Sequence, residues 1–266
     1  IVNSSGLDRS FRSSQYAVSV GATLILDDGT RIEAGESASF LAPAPHASLR
    51  ERVMEKIGAA LVTRKPPSGR VPVLLSPRAF ARIIGIMTAG LSAKAVWKGI
   101  SPFAEKRGER MFAPSLTVRD DPALAGSPYS YPFDDEGVTA ADKPLVDRGV
   151  ISTFITDLKH ARKLNLTPGG NGARGYSSLP YPSFSNIVIG AGAEGAAGMM
   201  SGITRGILVE QFIGLGQSNT LTGDFSAGLD LAYLIENGTI AGRVKDCMLS
   251  DNLFRLLAGE FSLSAE

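Results

Sequence analysis

Side chains that ligate metals or crosslink a fold are scarce in this sequence. Among 266 residues there are one cysteine, Cys247, and two histidines, His46 and His160. A single cysteine excludes an internal disulfide and fits a reducing compartment. Neither histidine lies in a zinc pattern such as His-Glu-x-x-His, and Cys247 has no second Cys or His at ligand spacing. Charge of one sign is also lacking. Lys and Arg number 27 and Asp and Glu 26, so neither a polyanionic partner nor an acidic substrate is implied. The basic residues are dispersed, and the aromatics do not interleave with a basic run, which argues against a nucleic-acid face. No apolar run reaches the ~18 residues needed to cross a bilayer, so no membrane span is expected. The opening Ile-Val-Asn-Ser-Ser has neither a charged n-region nor an apolar h-region and reads as part of a longer, cytoplasmic chain. There is no phosphate-cradling Gly loop ending in Lys-Ser/Thr and no Gly-x-Ser-x-Gly elbow.

What is present reads as α+β, with mostly antiparallel strands and a few helices. Val18, Val20, Ala22, Leu24 and Leu26 alternate as a half-buried strand. Asp27-Asp28-Gly29 then makes a hairpin turn into a strand near Thr30–Ala34. Ser48 and Glu51 form a capping-box pattern before Leu49, Val53, Ile57 and Leu61, which predicts a helix over 49–61. The Pro/Gly/Lys/Arg stretch 63–70 separates a first region, 1–66, from a second, 71–266. Val71–Leu75 reads as a buried strand. Ser76 caps a helix with Pro77 in its first turn, Phe80, Ile83, Ile84 and Met87 on one face, and Gly90 at its stop. Further strands are expected at 149–156, 186–189, 207–212, 229–235 and 240–244, with Asn237-Gly238 as a hairpin turn. Helices are expected at 157–165 and 194–204, and at 251–258 with Ser250 as cap.

The chemistry-bearing residues each have a plainer structural reading. His46 sits in a Pro-rich stretch. His160 lies among bases in Leu158-Lys159-His160-Ala161-Arg162 and is expected on a solvated helix face. Cys247 is expected to be a buried, inert thiol. The run Phe133-Asp134-Asp135-Glu136-Gly137 could hold a cation or raise its own pKa values. Three acids before a glycine more often close a turn on their own backbone N–H groups. Gly214-Leu215-Gly216 and Thr222-Gly223-Asp224-Phe225-Ser226 bracket a Gly-rich stretch between strands, which suits a turn, a bulge or the close approach of a second backbone, including that of a bound peptide.

The order of these motifs resembles the TldD/PmbA family. Phe133–Gly137 resembles its F-D-x-E-G. Asp157–Leu164 followed by Thr167–Gly172, which contains Asn171 and Gly172, resembles its A-x-x-L-G-x-x-x-T-G-N. Pro182–Ile187, with Asn186, is similar to its P-x-x-x-N strand. Gly206–Glu210, Gly214–Gly216, Thr222–Ser226, Ile235–Gly238 with Asn237 and Gly238, Val244 and Asn252-Leu253 follow in order. Residues 1–62, with the opening Asn3-Ser4-Ser5-Gly6, resemble the family's middle region.

The resemblance implies more than the residues do alone. TldD-type chains carry His-Glu-x-x-x-His on the helix after the strand matched by Val71–Leu75, and a later Cys completes their zinc site. Here that helix reads Ile83-Ile84-Gly85-Ile86-Met87-Thr88-Ala89-Gly90, with Ile84 and Ala89 near the two histidine positions. The chain therefore resembles the TldE/PmbA type, known also as modulator of DNA gyrase. By that likeness it is a metal-free, cytoplasmic subunit with no cofactor of its own. Zinc is expected in a TldD-type partner, with which it would form a dimer that encloses a chamber for unfolded peptide. Gly214, Gly216, Thr222, Gly223 and Asp224 are candidate peptide-binding residues. Asp134, Glu136, Gly137, Asn171, Gly172, Asn186, Asn237 and Gly238 are expected to be structural. Two alternatives stay open: a stand-alone hydrolase using Asp134, Asp135, Glu136 or Asp224 with a cation, and a homodimeric peptide-binding scaffold.

Overall fold

A computed structural model describes residues 1–4, 6–217, 219 and 221–265; Ser5 of the opening motif lies outside them. Strands β1 (Tyr16–Ile25) and β2 (Arg31–Phe40) pair antiparallel along their whole length. At their turn Gly29 takes φ +80°, and the Asp28 carboxylate accepts the Thr30 N–H at 2.8 Å. Helix α1 (Ala47–Ala60) buries Leu49, Val53, Ile57 and Ala60, spaced about one turn apart. The expected capping box is not formed. The helix begins at Ala47 with His46 at the cap position and no side-chain cap, so Ser48 is already inside the first turn.

β3 (Thr63–Arg64) and β4 (Val73–Leu75) follow, and then α2 (Pro77–Gly90). Here the sequence signal holds: the Ser76 hydroxyl accepts the Ala79 N–H at 3.3 Å, with Pro77 beside it in the first turn. Ile83, Ile84 and Met87 are buried. Next come α3 (Ala93–Trp97), β5 (Val118–Asp120), β6 (Lys143–Asp147) and β7 (Val150–Ile151). The strand expected over 149–156 shrinks to two residues. Ile155 leaves that ladder and exchanges backbone hydrogen bonds with Leu91 and Ala93, at 3.0 and 2.9 Å.

α4 (Leu158–Leu164), β8 (Gly172–Ala173), β9 (Tyr181–Pro182), β10 (Ile187–Ile189) and α5 (Ala196–Ser201) are short. The long strands β11 (Arg205–Ile213) and β12 (Asp224–Glu236) then pair antiparallel, followed by β13 (Thr239–Val244), β14 (Met248–Asn252) and α6 (Leu253–Ala258). β12 starts five residues before the expected Leu229, because 224–228 pair with β14. Ser250 does not cap the last helix: it lies within β14 opposite Ser226, and the Asn252 side chain caps α6 by accepting the Arg255 N–H at 3.0 Å.

The main sheet runs β3-β13-β12-β11-β4, with β14 alongside the first half of β12. A second sheet runs β10-β5-β6-β7. Only β4 with β11 and β3 with β13 pair parallel in them. The fold is α+β with mostly antiparallel sheets. β12 is buried on both faces, so its alternation divides two cores. Leu231 and Tyr233 pack with Ile32, Val53 and Ile57 of β2 and α1. Ala232 and Leu234 pack with Ala79 of α2 and Val209. Residues 1–66 thus share the central sheet with residues 71–266, and the Tyr233 hydroxyl donates to the Lys56 carbonyl at 2.7 Å. A third core holds Met87, Leu91, Phe103, Leu116 and Leu145 between α2, α3 and the smaller sheet. Among the described residues, no helix is long and apolar enough to cross a membrane.

Candidate functional site

The end of β11 is left open by the way α2 departs from the sheet. β4 pairs with β11 over Ile207–Val209 only. The Ser76 N–H then donates to the Val209 carbonyl at 3.0 Å, and the chain turns away into α2. Beyond Val209, β11 has no strand on that side among the described residues. Bulges around Gln211 twist this end further. The result is a cavity of about 400 Å³, walled by Arg78, Arg82 and Gly85 of α2 and by Gln211, Gly214 and Gly216 opposite.

Glycine keeps these walls low. Gly214 needs its φ of +79°, but Gly85 and Gly216 have ordinary backbones, and a Cβ at any of the three would meet nothing within 4 Å. Glycine inside a helix costs about 1 kcal/mol relative to alanine. Packing among the described residues gives Gly85 no compensating role.

Charge beside the cavity is organised by Lys56 of α1. Its ammonium lies 2.5 Å from Glu210 Oε2 and 2.6 Å from Glu36 Oε1, with Arg52 3.4 Å from Glu36. Burial works against the ammonium, but hydrogen bonds to Glu210 and Glu36 outweigh it and hold Lys56 above its ordinary value. Glu36 is likewise penalised by burial and still held below the usual carboxylate range by Lys56. Arg78 donates to the Gly35 carbonyl at 2.7 Å.

The five candidate peptide-binding residues fall in two places. Gly214 and Gly216 line the cavity. Thr222, Gly223 and Asp224 lie instead where β12 starts and α6 is anchored. Asn252 donates to the Thr222 carbonyl at 2.7 Å and to the Asp224 carboxylate at 2.9 Å, which holds Asp224 below its usual range. Gly223, at φ +77°, has the Phe254 ring within 2.6 Å of where a Cβ would stand.

The acidic motif forms a closed turn. Asp134 Oδ1 accepts the Glu136 and Val138 N–H groups at 3.0 and 2.9 Å, its Oδ2 accepts the Gly172 N–H at 2.7 Å, and Gly137 has φ +81°. Asp135 accepts the Arg174 N–H at 2.7 Å. Glu136 reaches across to the Leu158 N–H at 2.8 Å; burial raises its pKa, this bond opposes the rise, and Asp157 and Asp134 add to it. Asn171 donates to the fully buried Asp120, which also takes Lys143 at 3.0 Å and the Ser185 N–H at 2.7 Å. That knot joins positions far apart in sequence, and no local signal marks it. Asn186 ties a neighbouring loop by donating to the Asp121 carbonyl at 2.7 Å. Asn237 and Gly238 make the β12–β13 turn, next to the beginning of β11 rather than its open end.

His160 corrects the sequence expectation. It is 3% exposed rather than solvated, with Nδ1 2.6 Å from Asp157 Oδ1 and its ring 5.7 Å from that of Trp97. In so short a helix the exposed Lys159 and Arg162 flank an inward face made of His160 and Ala161. His46 is exposed, and Cys247 is half-buried with burial pushing its thiol up.

The cavity does not fit zinc. From α2 it receives Arg78, Ala79, Arg82, Gly85 and Ile86, none of which supplies an imidazole, thiolate or carboxylate. Among the described residues no three His, Cys, Asp or Glu side chains are arranged to hold a metal ion.

Comparison with known proteins places this architecture. Residues 68–264 match the model of the PmbA/TldA metallopeptidase C-terminal domain. A metalloprotease of Methanothermobacter thermautotrophicus is 28% identical over 252 residues, covering 92% of this chain and 55% of that protein. The crystal structure of a candidate modulator of DNA gyrase from Bacteroides thetaiotaomicron superposes with a TM-score of 0.83 at 26% identity, covering 96% of this chain and 56% of that one. TldE from Thermococcus kodakarensis shares the fold, with a TM-score of 0.85 at 24% identity over 94% of this chain and 57% of that one. The chain thus spans a little over half the length of these relatives. It belongs to the TldD/PmbA metallopeptidase family.

Proposed function

We propose that this chain is a TldE/PmbA-type subunit that does no metal chemistry itself and clamps extended peptide for a TldD-type metallopeptidase partner in the cytoplasm. The observation that carries this reading is the open end of β11, faced by a helix without metal donors. A strand end without a neighbour offers backbone N–H and C=O groups to an extended peptide, whose own backbone then completes the ladder. Pairing of this kind needs little from peptide side chains and suits unfolded substrates of varied sequence. Relatives named metalloprotease, and a fold shared with TldE, support the partnership.

A hydrolase built on the acidic motif is less favoured. Asp134, Asp135 and Glu136 accept backbone N–H groups at 2.7 to 3.0 Å, which makes them the staples of a turn. The test of the subunit reading is the purified chain alone, assayed for bound zinc and for cleavage of reduced, carboxymethylated casein. Neither is expected. Stoichiometric zinc with cleavage would defeat the reading.

A further inference from the structure

The cavity at the end of β11 has a charge that backbone pairing alone does not require. We propose that it is a carboxylate pocket, in which Arg82 and Arg78 hold the free C-terminal carboxylate of the clamped peptide. This rests on the peptide-clamp reading above and adds which end of the peptide is recognised.

Arg78 and Arg82 are four residues apart on α2, so their side chains rise from the same face on successive turns. Both line the cavity, and neither forms an ion pair among the described residues. Glu210 is the one acid in the described lining, and its carboxylate is engaged by Lys56 at 2.5 Å. The cavity therefore presents positive charge with its own acid already matched. Arg78 is steadied by its bond to Gly35. A guanidinium presents parallel N–H donors that fit the two oxygens of a carboxylate.

Space agrees with that ligand. Gly85 lies one turn beyond Arg82 and, with Gly214 and Gly216, leaves room around their Cα atoms that no side chain of the described residues fills. A peptide strand added at Gln211–Ile213 lies beside this space, and a chain that ends there brings two carboxylate oxygens where a continuing chain has one carbonyl. Glutamine, Phe212 and glycine around the arginines supply no competing charge.

The test is fluorescence anisotropy on the full 266-residue chain with a short, N-terminally fluorescein-labelled alanine–leucine peptide, as the free acid and as the C-terminal amide. The free acid is expected to bind about tenfold or more tighter, the scale of a charge-assisted hydrogen-bond pair. The preference is expected to vanish in Arg82→Ala, whose exposed site leaves folding intact by circular dichroism, and binding of both peptides to fall in Gly85→Leu. Equal affinity for acid and amide in the wild-type chain overturns the carboxylate pocket and leaves the clamp standing. A preference that survives in the Arg78→Ala, Arg82→Ala double variant overturns the assignment to these arginines. Binding of neither peptide overturns the clamp and the pocket together.

Discussion

Lys56 Nζ stands 2.5 Å from Glu210 Oε2, which ties helix α1 to the strand that ends in the open cavity. Lys56 holds Glu36 of β2 through the same ammonium at 2.6 Å. One cation therefore fastens the first sixty residues to the central sheet beside the proposed site.

Replacing that cation tests the tie. Lys56→Met strands Glu210, leaves Glu36 with Arg52 alone at 3.4 Å, and is expected to cost about 2 kcal/mol, less than a fully buried pair because water still reaches it. Roughly 5 °C of melting temperature should be lost. Lys56→Arg should recover part of it. A melting curve unchanged by Lys56→Met would mean that the network is ornamental.

The same network sets a pH dependence. Glu36 is held below its unfolded value, so its contribution is present above the ordinary carboxylate range and is lost as pH falls through its folded pKa. Lys56 is held above its unfolded value, so its contribution is present at neutral pH and is lost as pH rises through its folded pKa. Chemical denaturation across pH should show both limbs in the wild type. The acid limb should be shallower in Glu36→Gln, and an acid limb of unchanged slope would assign acid sensitivity elsewhere.

Glu136 has the opposite sign from Glu36. Its folded pKa is raised, so its ionisation opposes folding as pH rises through that value. Glu136→Gln keeps an oxygen for the Leu158 N–H and removes the charge. It is expected to fold, and above that raised folded pKa to be as stable as the parent or slightly more so. Thermal melts at neutral pH check this. A hydrolytic activity in the parent that disappeared in this variant would revive the acidic-cluster enzyme.

Much of this was legible in the sequence, and the exceptions share a cause. The β1–β2 hairpin, α2 with its Ser76 cap and the Asn237-Gly238 turn are announced by local chemistry, and they form. The strand β14, the buried knot at Asp120 and the burial of His160 depend on partners tens of residues away. Lys159 and Arg162 make His160 look solvated, because composition averages over a helix whose two faces differ. For the cavity, sequence singled out Gly214 and Gly216, but not Arg78, Arg82 or Gly85, because only the departure of α2 from β4 brings them to one place.

His160 and His46 give a matched pair of substitutions. His160→Ala empties a buried site and breaks the contact with Asp157, and should cost about 2 to 3 kcal/mol. His46→Ala, at an exposed position, should stay within about 0.5 kcal/mol. Urea titrations of the two variants measure the difference, and equal costs would contradict the burial of His160.

Gly85 and Gly223 are both glycines with opposite expectations. Gly85→Ala adds a helix former in open space and should stabilise by roughly 0.5 to 1 kcal/mol. Gly223→Ala forces a side chain to φ +77° and into the Phe254 ring, and should destabilise by more than that gain. If Gly85→Ala destabilised, the glycine would have a packing role and the argument for ligand space would weaken.

The most direct measurement mixes this chain with a TldD-type subunit from the same genome. Size-exclusion chromatography with light scattering reads assembly, and cleavage of an unfolded peptide by the mixture and by each subunit alone reads function. The subunit account predicts one joint species and a cleavage rate well above the sum of the separate rates. No joint species and no gain in rate would contradict it and favour a homodimeric peptide-binding scaffold.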